Sequence, residues 1–79
     1  MEVKESFHID RNGSHQMLNL VRQANQFQSY IVLEANNKVV NCKSLISISA
    51  FLTPSENITL KAVGDDAKVA VTTLQRLFK

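Results

Sequence analysis

The spacing of apolar residues changes several times along the chain, and each change marks an expected element. Val3, Phe7 and Ile9 share one parity, the period-two pattern of a half-buried strand over residues 3 to 9. Arg11-Asn12-Gly13-Ser14 interrupts it with turn formers, and Ser14 is placed to cap a helix. From His15 to Gln26 the repeat becomes helical. Met17, Leu20, Val21 and Ala24, then Phe27, fall on one side, and Asn19, Arg22, Gln23 and Gln26 take the other.

Tyr30–Glu34 alternates, with Ile31 and Leu33 pointing one way and Val32 and Glu34 the other. Asn36-Asn37 is a turn signal, because asparagine tolerates positive φ better than most residues. Lys38–Cys42 runs back with Val40 and Cys42 inward, which makes a β-hairpin. Leu45, Ile46, Ile48 and Phe51 suit a short helix capped by Ser44, although the β-branched residues and serines there favour it weakly. Pro54-Ser55-Glu56 marks a loop, and Ile58–Ala62 alternates as a fourth strand. Gly64-Asp65-Asp66 ends that strand and offers acidic groups to the next helix start. The last helix carries Ala67, Ala70, Val71, Leu74, Leu77 and Phe78 on its apolar side and ends near Lys79. The order is βαββαβα. An α+β fold follows: an antiparallel sheet covered on one face by helices, with Tyr30, Val32 and lysines on the wetter face.

Composition narrows the classes. The 79 residues suit a single domain spanning 1–79. With 44% hydrophobic and 20% charged residues, two Gly and one Pro, the chain is globular rather than disordered. No apolar run is long enough to span a bilayer and no leader pattern stands at Met1, so the expected location is the cytoplasm. The net charge of +2 is small and its cations are dispersed without aromatic interleaving, which argues against nucleic-acid binding. Cys42 is the one cysteine, read as a small buried hydrophobe, and no metal site has its ligand spacing. His8 is read as a solvent-facing strand residue.

The run Phe27-Gln28-Ser29-Tyr30-Ile31-Val32-Leu33-Glu34, continued by Lys38-Val39-Val40-Asn41-Cys42-Lys43-Ser44-Leu45-Ile46, resembles the HPr family of histidine-containing phosphocarriers. So does Ile58-Thr59-Leu60-Lys61-Ala62-Val63-Gly64-Asp65-Asp66, which is similar to that family's last strand and acidic turn. The resemblance implies an open-faced sandwich with a four-stranded antiparallel sheet, and a role in the phosphoenolpyruvate-dependent sugar phosphotransferase system. It implies no cofactor.

In that family a histidine at the start of the first helix carries the phosphoryl group, in a motif like Gly-x-His-Ala-Arg-Pro-Ala. Here the chain reads Gly13-Ser14-His15-Gln16-Met17-Leu18, which keeps the glycine and histidine and lacks the arginine and proline. About two residues are missing around this loop, counted back from Phe27 by helical pitch. With the gap after His15, that residue aligns with the phosphorylated histidine. With the gap before it, Gly13 takes that place and His15 falls on the arginine. The chemistry asks for free N–H groups and a helix dipole to stabilise added negative charge, and for a guanidinium to grip it. Arg11 is the nearby candidate for that grip.

The resemblance also implies a regulatory serine at the start of the second helix, and Lys43-Ser44-Leu45-Ile46 matches its context. A phosphate there adds roughly two negative charges beside the apolar Leu45 and Ile46, a change that blocks one partner and recruits another. The same serine also has an ordinary use as a helix cap. Ser47-Ile48-Ser49-Ala50 departs from the family's glycine and methionine pattern and makes that surface more polar. The implied partners are enzyme I and sugar-specific permease subunits for a carrier at His15. For a regulatory paralogue switched at Ser44 they are HPr kinase and a transcription regulator. The competing expectation is a non-catalytic interaction module that kept the fold without phosphotransfer and docks through Leu45, Ile46 and the start of the first helix. No nucleophile–base–orienter set marks a free-standing enzyme.

Overall fold

Strands β1 (Glu2–Ile9), β2 (Tyr30–Ala35), β3 (Lys38–Asn41) and β4 (Glu56–Val63) alternate with helices α1 (Met17–Ala24), α2 (Leu45–Phe51) and α3 (Ala67–Gln75), and a 3-10 turn, Arg76–Phe78, follows α3. The computed structural model describes residues 1–9, 16–35, 37–51 and 56–78. The strands form one four-stranded sheet in the order β1-β4-β2-β3, with every neighbouring pair antiparallel.

Register carries the alternation of each strand into a common face. Ala62 pairs with Val3 on one side and Ile31 on the other, and Leu33 lies between Leu60 and Val40. These rows meet the buried side of α1 (Met17, Leu20, Val21, Ala24) and of α3 (Ala67, Ala70, Val71, Leu74). Leu20, Ile31, Leu33, Ile48, Leu60 and Leu74 are all at 0% exposure, each contributing about 1.5–3 kcal/mol through the apolar surface it removes from water. At one end Phe7 stacks on Phe78, with ring centroids 5.4 Å apart. In the helical layer α3 covers β1 and β4, α2 covers β3, and α1 touches both other helices.

The expected order and face assignments hold, with corrections at element ends and at one side chain. The first helix begins at Met17 and ends at Ala24, because Asn25 and Gln26 turn out of it with bonds to Val21 and Gln23 carbonyls. Glu56 belongs to β4 rather than to a loop, since it pairs with Ile9. Cys42 lies just beyond β3 and is fully buried, its N–H donating to the Ile31 carbonyl. Val32, expected on the wet face, is 2% exposed. It stands on an interior strand between Lys61 and Asn41, and side chains this close across a sheet shield one another from water. Tyr30, on the same face, is well exposed as expected. Asn37 adopts φ 65° and closes the hairpin. The Ser14 cap and Pro54-Ser55 lie outside the described residues.

Candidate functional site

Three helix starts hold the polar residues that the sequence singled out. His15, with Gly13 and Arg11, lies outside the described residues. The helix that follows them is described, and its first turn carries no acidic residue. Gln16, at the cap position, makes no side-chain bond to the helix N–H groups; its Oε1 accepts instead from the Asn19 side chain at 3.1 Å. A first turn without an acidic residue leaves the helix dipole there free to favour an anion.

The start of α2 is more tightly built. Ser44 Oγ accepts from the Ser47 N–H at 3.3 Å, and its carbonyl accepts from the Ile48 N–H at 3.0 Å. Serine is a favoured cap because its oxygen meets a helix donor that would otherwise lack a partner. The residues before it are tied back to α1. Lys43 Nζ donates to the Phe27 carbonyl at 2.7 Å, and its N–H donates to Asn41 Oδ1 at 2.9 Å. Asn25 Nδ2 donates to both the Val21 and Lys43 carbonyls, at 2.8 and 3.2 Å. Asn25 and Lys43 thus fix where α2 begins relative to α1. Lys43 was legible only as part of a motif, and Asn25, which falls inside the helical repeat expected to run to Gln26, carried no signal of its own.

Directly after Ser44, Leu45 is 47% and Ile46 85% exposed, and Leu18 on α1 is 47% exposed. These are large apolar side chains left in water on adjoining helices. Leu18 was missed in the sequence, where its place on the polar side of the α1 repeat is its signal. Exposed apolar groups gathered on one surface are the usual ingredients of a protein-docking face.

The start of α3 differs. Asp66 makes no side-chain bond to its own helix. Its carboxylate accepts from the N–H groups of Gln28 and Ser29 at 2.8 and 3.0 Å and from Ser29 Oγ. These bonds hold the carboxyl below its ordinary value, the Ser29 hydroxyl contributing most. The expectation that the acidic turn serves the last helix is therefore corrected: Asp66 ties β4–α3 to the loop before β2.

His8 is exposed, as expected, and its Nδ1 pairs with Asn57 Oδ1 at 3.0 Å. Burial pushes the Cys42 thiol up to about 12, which leaves it protonated and unreactive in the native state. Among the described residues no group of three or more His, Cys, Asp or Glu is placed to hold a metal ion. No helix among them is long and apolar enough to cross a membrane.

A model of the family described as the HPr component phosphorylation site of the phosphotransferase system matches residues 12–79. Among solved structures, the phosphocarrier HPr of Bacillus anthracis superposes with TM-score 0.88 at 27% identity, covering 99% of this chain and 98% of that one. The histidine-containing phosphocarrier of a Mycoplasma gives 0.85 at 30% identity, covering 95% and 90%. Crh, the catabolite repression HPr of Bacillus subtilis, gives 0.68 at 29% identity, covering 98% and 96%. No curated protein sequence matches the chain.

Proposed function

The chain belongs to the HPr family of the phosphotransferase system, and on that premise we propose that it is a phosphoryl-accepting component of that pathway, working in the cytoplasm as one domain over residues 1–79. His15 receives the phosphoryl group from phosphorylated enzyme I and passes it to a sugar-specific permease subunit. The observation that carries this reading is the start of α1, which has no acidic residue in its first turn and no bond from the Gln16 side chain to its N–H groups. Those donors and the helix dipole favour an anion beside them. The neutral imidazole attacks phosphorus, a bond from nitrogen to phosphorus forms, and the donor's bond to the phosphoryl group breaks. Arg11 supplies the guanidinium that the family motif places after the histidine. Incubation with phosphoenolpyruvate and enzyme I tests this: intact mass should show one acid-labile phosphoryl adduct, absent in His15→Ala. No adduct beside a working HPr control rules the carrier role out.

A regulatory reading is favoured by a separate observation, the exposure of Leu45 and Ile46 immediately after Ser44. In it HPr kinase phosphorylates Ser44, and the added charge changes which partner, a transcription regulator among them, docks on those side chains. Failure of HPr kinase to modify the chain removes this reading. Should both modifications fail while partner proteins still bind through Leu45 and Ile46, the chain is a docking module without phosphotransfer.

A further inference from the structure

Helix α3 has an outer face that the fold does not use. Ala67, Ala70, Val71 and Leu74 are buried against the sheet, which leaves Lys68, Thr72 and Arg76 exposed along one ridge and Val69, 60% exposed, beside them. With Thr73 these residues line an open groove of about 340 Å³. The segment from Ala67 to Lys79 contains no Asp or Glu. Neither Lys68 nor Arg76 joins a salt bridge among the described residues; the pair that does is Lys61 and Glu2. Of the two acids before the helix, Asp66 is committed to Gln28 and Ser29, and Asp65 is not part of the groove lining.

We propose that this face is a second docking site, for an extended acidic segment of a partner protein. Lys68 and Arg76 are separated by about 12 Å along the axis, from the helical rise. In an extended chain, residues i and i+4 point to the same side about 13 Å apart. Two carboxylates at that spacing meet the two cations, and an apolar residue at i+2, level with Thr72, reaches across to the side of the groove that Val69 lines. The threonine hydroxyls between them accept from and donate to the peptide backbone. The charge complementarity supplies recognition and approach, and Val69 supplies the apolar contact. The site stands apart from the α2 surface: α3 packs on β1 and β4, whereas α2 packs on β3 and α1. Occupancy at Leu45 and Ile46 therefore leaves it open, and the inference goes beyond the phosphotransfer role and is independent of it.

Titration of the full chain with the blocked peptide Ser-Glu-Ser-Val-Ser-Glu-Ser, followed by amide chemical shifts, tests the proposal. Saturable shifts should centre on residues 68, 69, 72, 73 and 76 and weaken with added salt. The reordered peptide Ser-Ser-Glu-Glu-Val-Ser-Ser should bind several-fold less well, and the doubly reversed variant Lys68→Glu/Arg76→Glu about tenfold less well, with its circular dichroism unchanged. The single variant Val69→Ser, which keeps every charge, should weaken binding and keep the salt response. Equal binding by the reordered peptide or by the reversed variant overturns the proposal. So do shifts centred on Lys4, Lys38 or Lys61, and so does tighter binding of a single-stranded oligonucleotide at the same groove.

Discussion

Ser44 and Asp66 occupy equivalent places, each one residue before a helix and each a residue type that caps helices well. Ser44 serves its own helix through one long bond, to the Ser47 N–H at 3.3 Å. Asp66 leaves its helix alone and reaches a loop almost forty residues away in sequence, where it accepts from Gln28 and Ser29. The difference lies in the neighbours. Gly64, at φ 148°, turns β4 so closely onto Ser29 that an added Cβ would stand 2.6 Å from its Oγ, and this approach delivers two N–H groups and a hydroxyl to the carboxylate. At Ser44 the facing chain, Asn25 and Phe27, is already occupied by Lys43. A polar residue at a helix start is thus tied into the tertiary structure where distant donors converge on it, and serves only its own helix where its side chain makes a single long bond.

The strongest way to break the α3 side is Gly64→Ala. The new methyl group meets Ser29 backbone and side chain at a φ that only glycine adopts easily, so a loss of about 2–3 kcal/mol is expected in urea unfolding. A stability within error of wild type would show that the close approach is not required. Asp66→Asn should cost less than Gly64→Ala, because the side-chain oxygen still accepts, but it should remove an acid limb from the stability profile. The sign is set by the lowered carboxyl of Asp66: its stabilisation is complete above the ordinary aspartate value of 3.8 and is lost as pH falls through the lower folded value. The gap between wild type and variant should therefore be constant above about pH 5 and close as pH falls below about 4; a gap that stays unchanged through that acid range would refute the assignment.

On the α2 side, Lys43→Met removes the Nζ bond to the Phe27 carbonyl and should cost about 1 kcal/mol, with faster hydrogen exchange in the segment around Phe27. Ser44→Ala should cost less, about 0.5 kcal/mol, the low end for a cap, and Ser44→Asp should be near neutral. Should Ser44→Ala destabilise as much as Gly64→Ala, the contrast between the two helix starts fails. Smallest of all, none of the α2 substitutions should expose Cys42 enough for rapid labelling: with its thiol pushed up to about 12, a disulfide reagent at pH 8 should react quickly only after unfolding.

How much was legible follows the range of the forces involved. The alternation through Ile31 and Leu33 and the helical repeat through Leu20 and Ala24 reported the covered sheet face, because burial acts on every second or every third-to-fourth residue. Ser44 as a cap was legible for the same local reason. Val32 was misassigned because its burial comes from Lys61 and Asn41 on neighbouring strands, and Glu56 because its strand pairing is with Ile9.

By itself, then, the sequence determined which residues face the core, the order βαββαβα and the family resemblance around Lys43-Ser44, all properties written in local periodicity and short motifs. Tertiary structure alone decided that Asp66 holds a distant loop and that Lys43 and Asn25 seat α2 on α1. Those outcomes depend on which backbone donors and charged groups the closed sheet brings within about 3 Å of one another, or fails to, and separation along the chain carries no record of it.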